Sequence, residues 1–222
     1  MLSARREFDQ SIQSVREQSN LYNYLVNSMH LPLIYSSEIL RSQLVCAVSA
    51  MDRFFHEIVR IGFIESYKGI RKPTEKFKNW QFSNERVLQI VKYSDPTYVP
   101  TSIQETPDYL IEQDVIQKLS TVAYQHPDKI KDALSYVWLE NHKMQTIATG
   151  MGMTHPGGQQ LLEQKLKMIC ERRNQVVHEG DIEPTSRTRR AINQPDVIDN
   201  IDFIEKFCHC VYDYITDASC YE

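Results

Sequence analysis

Glu171-Arg172-Arg173-Asn174-Gln175-Val176-Val177-His178-Glu179-Gly180-Asp181 closes the most regular amphipathic segment of the chain. From Gly158 onward, Leu162, Leu166, Ile169, Arg173 and Val177 recur every three or four positions, the period of an α-helix with one apolar face. Gly180 suits the left-handed position that ends such a helix. Asn174 and His178 stand four apart on one face. At 3.6 residues per turn, Arg173 lies about 140° round from His178, so both side chains can border one cleft and hold a phosphate between them.

Working outward, the same period recurs almost everywhere. Phe8, Ile12, Val15, Tyr22, Leu25 and Met29 predict a first helix over 5–29, closed before Pro32. Leu40, Leu44, Ala47, Met51, Phe54 or Phe55, Ile58 and Ile61 predict a second over 37–64, with Gly62 and the Tyr67-Lys68-Gly69 region marking its end or a weak point. Thr106-Pro107 reads as cap and first residue of a helix through Leu119, and Ser83 caps a shorter segment to Val91. One helix is expected over 128–149, a glycine-containing hinge over 150–158, and a final helix from Pro195 to Ile215. The hinge lacks the lysine-hydroxyl ending of a phosphate loop and reads as a turn.

Residues 93–106, with Pro96, Pro100 and several tyrosines, read as an ordered connector. An all-α, antiparallel helical bundle follows, a single domain over 1–222 in which 65–125 is an elaboration.

Composition limits the function. With 25 Lys plus Arg against 29 Asp plus Glu, the net charge of −4 provides no global field for non-specific nucleic-acid binding, so any RNA site must be local. No signal peptide and no run of eighteen apolar residues is read, which leads to the expectation of a cytoplasmic protein with no membrane partner. Five cysteines are an odd number, expected to be small buried side chains plus Cys220 at a frayed end. His209 lies between Cys208 and Cys210, but consecutive helical positions point in three directions, and no metal site or cofactor is expected.

Two accounts compete for the helix end. In one, Arg172 and Arg173 complement the negative end of the helix dipole and His178 caps a terminal carbonyl. In the other, the same residues act on RNA. Transfer of a phosphodiester to the neighbouring 2′-hydroxyl needs a proton carrier, which His178 can be, and a cation on the phosphoryl oxygens, which Arg173 can be. Asn174 can orient the histidine or bind a phosphate oxygen. One such set offers a single acid/base group, so two copies in a symmetric dimer would complete it. Asp52 and His56, four apart on the second helix beside Arg53 and Glu57, gain value if that helix packs against this one. Arg187, Arg189 and Arg190 form the compact basic cluster, a solvated loop or a guide for a polynucleotide backbone.

Arg173-Asn174-Gln175-Val176-Val177-His178 resembles the Arg-Asn-x-x-x-His motif of HEPN ribonuclease domains. The wider run Arg172–Asp181, with Ser49-Ala50-Met51-Asp52-Arg53-Phe54-Phe55-His56-Glu57, is similar to the subgroup termed RiboL-PSP-HEPN. The resemblance implies a helical bundle that dimerises with its motif helices facing each other across a composite cleft. It implies a metal-independent endoribonuclease of a toxin–antitoxin or anti-phage system, leaving a 2′,3′-cyclic phosphate and a 5′-hydroxyl, with RNA and a cognate antitoxin or defence protein as partners. It also allows a noncatalytic RNA- or partner-binding module. Carried over, Arg173 and His178 are catalytic and Asn174 organises them. Arg172 contacts phosphate, and Asp52, His56 and Glu57 give polar support.

Overall fold

The computed structural model describes residues 1–221. Helices α1 (Leu2–Asn23), α2 (Leu33–Tyr67), α3 (Glu75–Lys78), α4 (Asn84–Tyr93), α5 (Pro107–Leu119), α6 (Pro127–Val137), α7 (Lys143–Gly150), α8 (Gly158–His178) and α9 (Gln194–Ile215) make an all-α fold. Among the described residues there is no named strand, only isolated bridges between Arg71 and Tyr221 and between Ile182 and Arg189.

The 35-residue α2 is the axis, packed against α1, α5, α6, α8 and α9. Its sequence explains this. Apolar side chains stand on more than one face, so Leu40, Leu44, Val48, Met51, Phe54, Phe55, Ile58 and Val59 are all buried against different neighbours. Phe8 of α1 meets Phe54, with ring centroids 5.3 Å apart, and Phe207 of α9 meets Phe55 at 6.0 Å. Each such phenylalanine removed from water stabilises the bundle by about 1.5–3 kcal/mol. One apolar cluster runs continuously from Ala4 to Cys220.

Three boundaries differ from expectation for identifiable reasons. The first helix ends at Asn23 and passes through a π-turn, Tyr24–Ser28, in which the Met29 amide reaches back to the Tyr24 carbonyl. The second does not stop at Gly62. It ends at Tyr67, in the Tyr67-Lys68-Gly69 region, and the glycine serves a close crossing instead, since a side chain at 62 would overlap Val137 of α6. The helix expected over 128–149 is two. Trp138 is extended (φ −139°, ψ 127°), its ring stacks on Tyr214 of α9 at 5.4 Å, and the Val137 carbonyl is taken by the buried Arg71 guanidinium at 3.0 Å.

The middle region is pinned as its aromatics suggest. Phe77 and Trp80 pack on Phe63, and the Trp80 indole donates to Asp114 Oδ2 at 2.9 Å. Residues 93–106 carry a 3₁₀ turn, Ile103–Glu105, that packs on α5. Cys220 is not frayed: it is buried, and its thiol lies 3.4 Å from the Tyr214 carbonyl oxygen. His209 Nε2 pairs with Asp9 Oδ1 of α1 at 2.7 Å. No helix among the described residues is long and apolar enough to cross a membrane.

Candidate active site

Leu162, Leu166 and Ile169 of α8 are buried, which anchors the helix and carries its last two turns, Arg172–His178, to the edge of the bundle beside α2. The adjacent arginines then separate completely. Arg172 turns inward: Nη2 donates to Asp181 Oδ2 at 2.9 Å, Nη1 to Asp181 Oδ1, and Nη2 also reaches the Ala191 carbonyl at 3.3 Å. It is a structural cation, and a phosphate would have to displace Asp181 to use it.

Arg173 has no carboxylate partner among the described residues. Its Nη1 donates to Asn174 Oδ1 at 3.1 Å, and its Nε is buried without an acceptor. Asn174 in turn donates from Nδ2 to Cys170 Sγ at 3.8 Å. Burial pushes the Cys170 thiol up; Arg173 opposes that rise and Asp52 adds to it, so both charges act at this turn of α8.

His178 is exposed and makes no hydrogen bond among the described residues. Capping is done without it. The Gln175 carbonyl accepts from the Glu179 amide at 3.2 Å and from the Asp181 amide at 2.8 Å, with Gly180 at φ +60° allowing the chain to turn. The account in which His178 caps a carbonyl is therefore replaced by a backbone cap.

The remaining candidates divide. Asp52 and His56 do not bond to each other. Both clamp the connector between α5 and α6: Asp52 Oδ1 accepts the Tyr124 amide, and His56 Nε2 donates to the Val122 carbonyl at 3.0 Å while its ring packs on Tyr124. Glu57 is buried and bound by Arg60 (2.6 Å) and Arg53 (2.7 Å). With His56 it lines a cleft of about 490 Å³ between α2 and α5. A second cleft of similar size, between α8 and α9, is lined by Arg172, Gln175, Lys165 and Asp199. Neither of these two clefts includes Arg173, Asn174 or His178: His178 is exposed, while Arg173 and Asn174 are half-buried beside it.

The basic loop is largely self-neutralised. Arg189 forks onto Glu38, and Arg190 pairs with Glu179 at 2.9 Å and Glu183 at 3.3 Å; Arg187, at φ +55°, is exposed. Only Arg187 of the three is left for a ligand among the described residues.

Two residues to which the sequence assigned no role, Asp181 and Arg41, complete the picture. Asp181 is wholly buried and holds both Arg172 and Arg41 of α2, the latter at 2.5 Å. Burial alone would raise its carboxyl, but the hydrogen bonds from Arg172 and Arg41 outweigh that and hold it below the usual carboxylate range. A signal existed: Arg41 shares a helical stripe with Leu44, Val48, Met51 and Phe55, and a cation on an apolar stripe requires a buried counter-ion.

No curated protein and no solved structure matches this chain. A family model, RiboL-PSP-HEPN, matches residues 7–217, nearly the full length and both motif-bearing helices. With an all-helical fold and the Arg-Asn-x-x-x-His sequence closing α8, the chain belongs to the RiboL-PSP-HEPN family.

Proposed function

We propose that the protein is an endoribonuclease whose working site is assembled from two copies of the α8 terminus, in a toxin–antitoxin or anti-phage system. One observation carries the reading: in a region where Arg41, Arg172, Arg189 and Arg190 all have carboxylate partners, Arg173 has none and His178 has no hydrogen bond among the described residues. Side chains without an internal role are the ones left to meet a ligand.

The chemistry follows from the groups present. His178 of one copy takes the proton from a ribose 2′-hydroxyl as that oxygen bonds to phosphorus. The phosphorus–5′-oxygen bond breaks, and the second copy of His178 gives a proton to the departing 5′-oxygen. Arg173, oriented by Asn174, holds the phosphoryl oxygens as negative charge concentrates on them. A 2′,3′-cyclic phosphate and a 5′-hydroxyl result, with no water consumed. Arg187, exposed in the loop after α8 and without a carboxylate partner among the described residues, is the cation left for the RNA backbone.

RNA incubated with the purified protein in excess chelator is expected to be cut. His178→Ala should lower the rate by about 10²–10⁴-fold and Arg173→Ala by about 10²–10³-fold, with assembly mass unchanged. Intact dimers that leave diverse RNAs uncut would overturn the reading. They would favour a noncatalytic RNA- or protein-binding module, which the exposed His178 and an Arg173 without a carboxylate partner among the described residues also fit. Growth arrest on expression, relieved by a neighbouring gene product, would place the nuclease in a toxin–antitoxin pair.

A further inference from the structure

We infer that Asp181 is a positioning residue for the ribonuclease site, which rests on the reading above: it locks the last turn of α8 in the register that turns Arg172 inward and leaves Arg173 and His178 for substrate.

The carboxylate sits where three segments converge. Oδ2 accepts from Arg41 Nε of α2 at 2.5 Å and from Arg172 Nη2 of α8 at 2.9 Å, and Oδ1 accepts from Arg172 Nη1. Its amide donates to Gln175 O at 2.8 Å, one turn before His178, and its carbonyl accepts the Arg190 amide at 2.8 Å. Arg41 extends the knot through Ser37 Oγ at 2.9 Å and the Arg190 carbonyl at 2.8 Å. Asp181 holds φ +60°, a region that aspartate tolerates better than most side chains and that lets amide and carboxylate both turn back onto α8.

The consequence is a division of labour between adjacent arginines. Arg172 and Arg173 differ by about 100° around the helix, so which of them faces Asp181 is set by the rotation of the final turn. With the carboxylate in place, Arg172 satisfies it. Without its charge, the buried Arg41, which keeps only Glu38 at 3.1 Å, and the half-buried Arg172 lose the anion between them, and the turn is driven to rearrange. A displacement of about 1 Å of groups in a reacting cleft costs roughly a hundredfold in rate, and His178 is three residues away.

The test uses Asp181→Asn and Arg41→Gln, the second lying on α2 outside the motif, with Arg41→Lys as the conservative variant. Cleavage of an oligoribonucleotide in chelator is measured with assembly mass and helical content. The expected result is a kcat about tenfold to a hundredfold lower for the first two, KM within about twofold, partial recovery in Arg41→Lys, and a double variant no worse than Asp181→Asn alone. Wild-type kcat in a folded, assembled Asp181→Asn or Arg41→Gln protein overturns the inference, as does a loss confined to KM. Should Asp181→Asn fail to fold, Arg41→Gln carries the test. If wild-type protein cuts no RNA, the nuclease reading is what fails. The lock is then read from amide exchange at Glu179 and Asp181, expected to speed up at least about tenfold in Arg41→Gln, with unchanged exchange overturning it.

Discussion

At the scale of single residues, the α8 terminus shows how one charge assigns roles to its neighbours. Arg172 and Arg173 are chemically identical and adjacent, yet one is neutralised by Asp181 and the other is not. The Asp181 carboxyl also carries a stability signature. Its folded pKa lies below the unfolded value of about 3.9, so its contribution is complete above that pH and is lost as pH falls through the lower folded value. Urea midpoints measured from pH 6 downward should drop below about pH 4, and Asp181→Asn should flatten that drop. An identical acid slope in the variant would show that the pair with Arg41 and Arg172 does not contribute to folding stability.

At the scale of elements, helix propensity and packing oppose each other at Gly62. Alanine is favoured over glycine inside a helix by about 1 kcal/mol, and α2 runs on through this position. A methyl group there would overlap Val137, and overpacking of this kind costs about 1–3 kcal/mol. Gly62→Ala should therefore lower the melting temperature, and a higher one would mean that α2 and α6 cross less closely. Trp138→Ala tests the other unexpected boundary. Losing the stack on Tyr214 and the buried indole should cost about 3–5 kcal/mol, read from denaturant midpoints; a cost under 1 kcal/mol would show that the α6–α7 break is held by other contacts. Neither feature has a sequence signal of its own. An isolated glycine in an apolar stripe reads as a weak point, and a tryptophan in a helical pattern reads as helix, until the partner segment is known.

At the scale of the whole molecule, Arg173, Asn174 and His178 lie outside both the α2–α5 and the α8–α9 cleft, with His178 exposed. A composite site makes a quantitative prediction. If both copies must supply His178, an equal mixture of wild-type and His178→Ala chains, allowed to exchange subunits, retains about a quarter of full activity, because only that fraction of random dimers has two intact histidines. Sites that work independently would retain half. Catalytic rates across a range of mixing ratios separate the square law from the straight line.

Local chemistry determined much of this protein before any tertiary contact was known. Apolar spacing dictates the long helices, Thr106-Pro107 and Ser83 set two starts through capping, Gly180 supplies the turn after α8, and Arg173-Asn174-Gln175-Val176-Val177-His178 marks the family. These are short-range effects of rotamers, backbone angles and helical period, legible within a few residues. What tertiary structure alone decided is which polar side chains are already spoken for. Asp52 and His56 go to the α5–α6 connector, Glu57 to Arg53 and Arg60, and Arg189 to Glu38, 151 residues away in sequence. Charge pairing acts through space and is settled by which elements come within a few ångströms, so the separation of Arg172 from Arg173 appears only once α2 delivers Arg41 to Asp181.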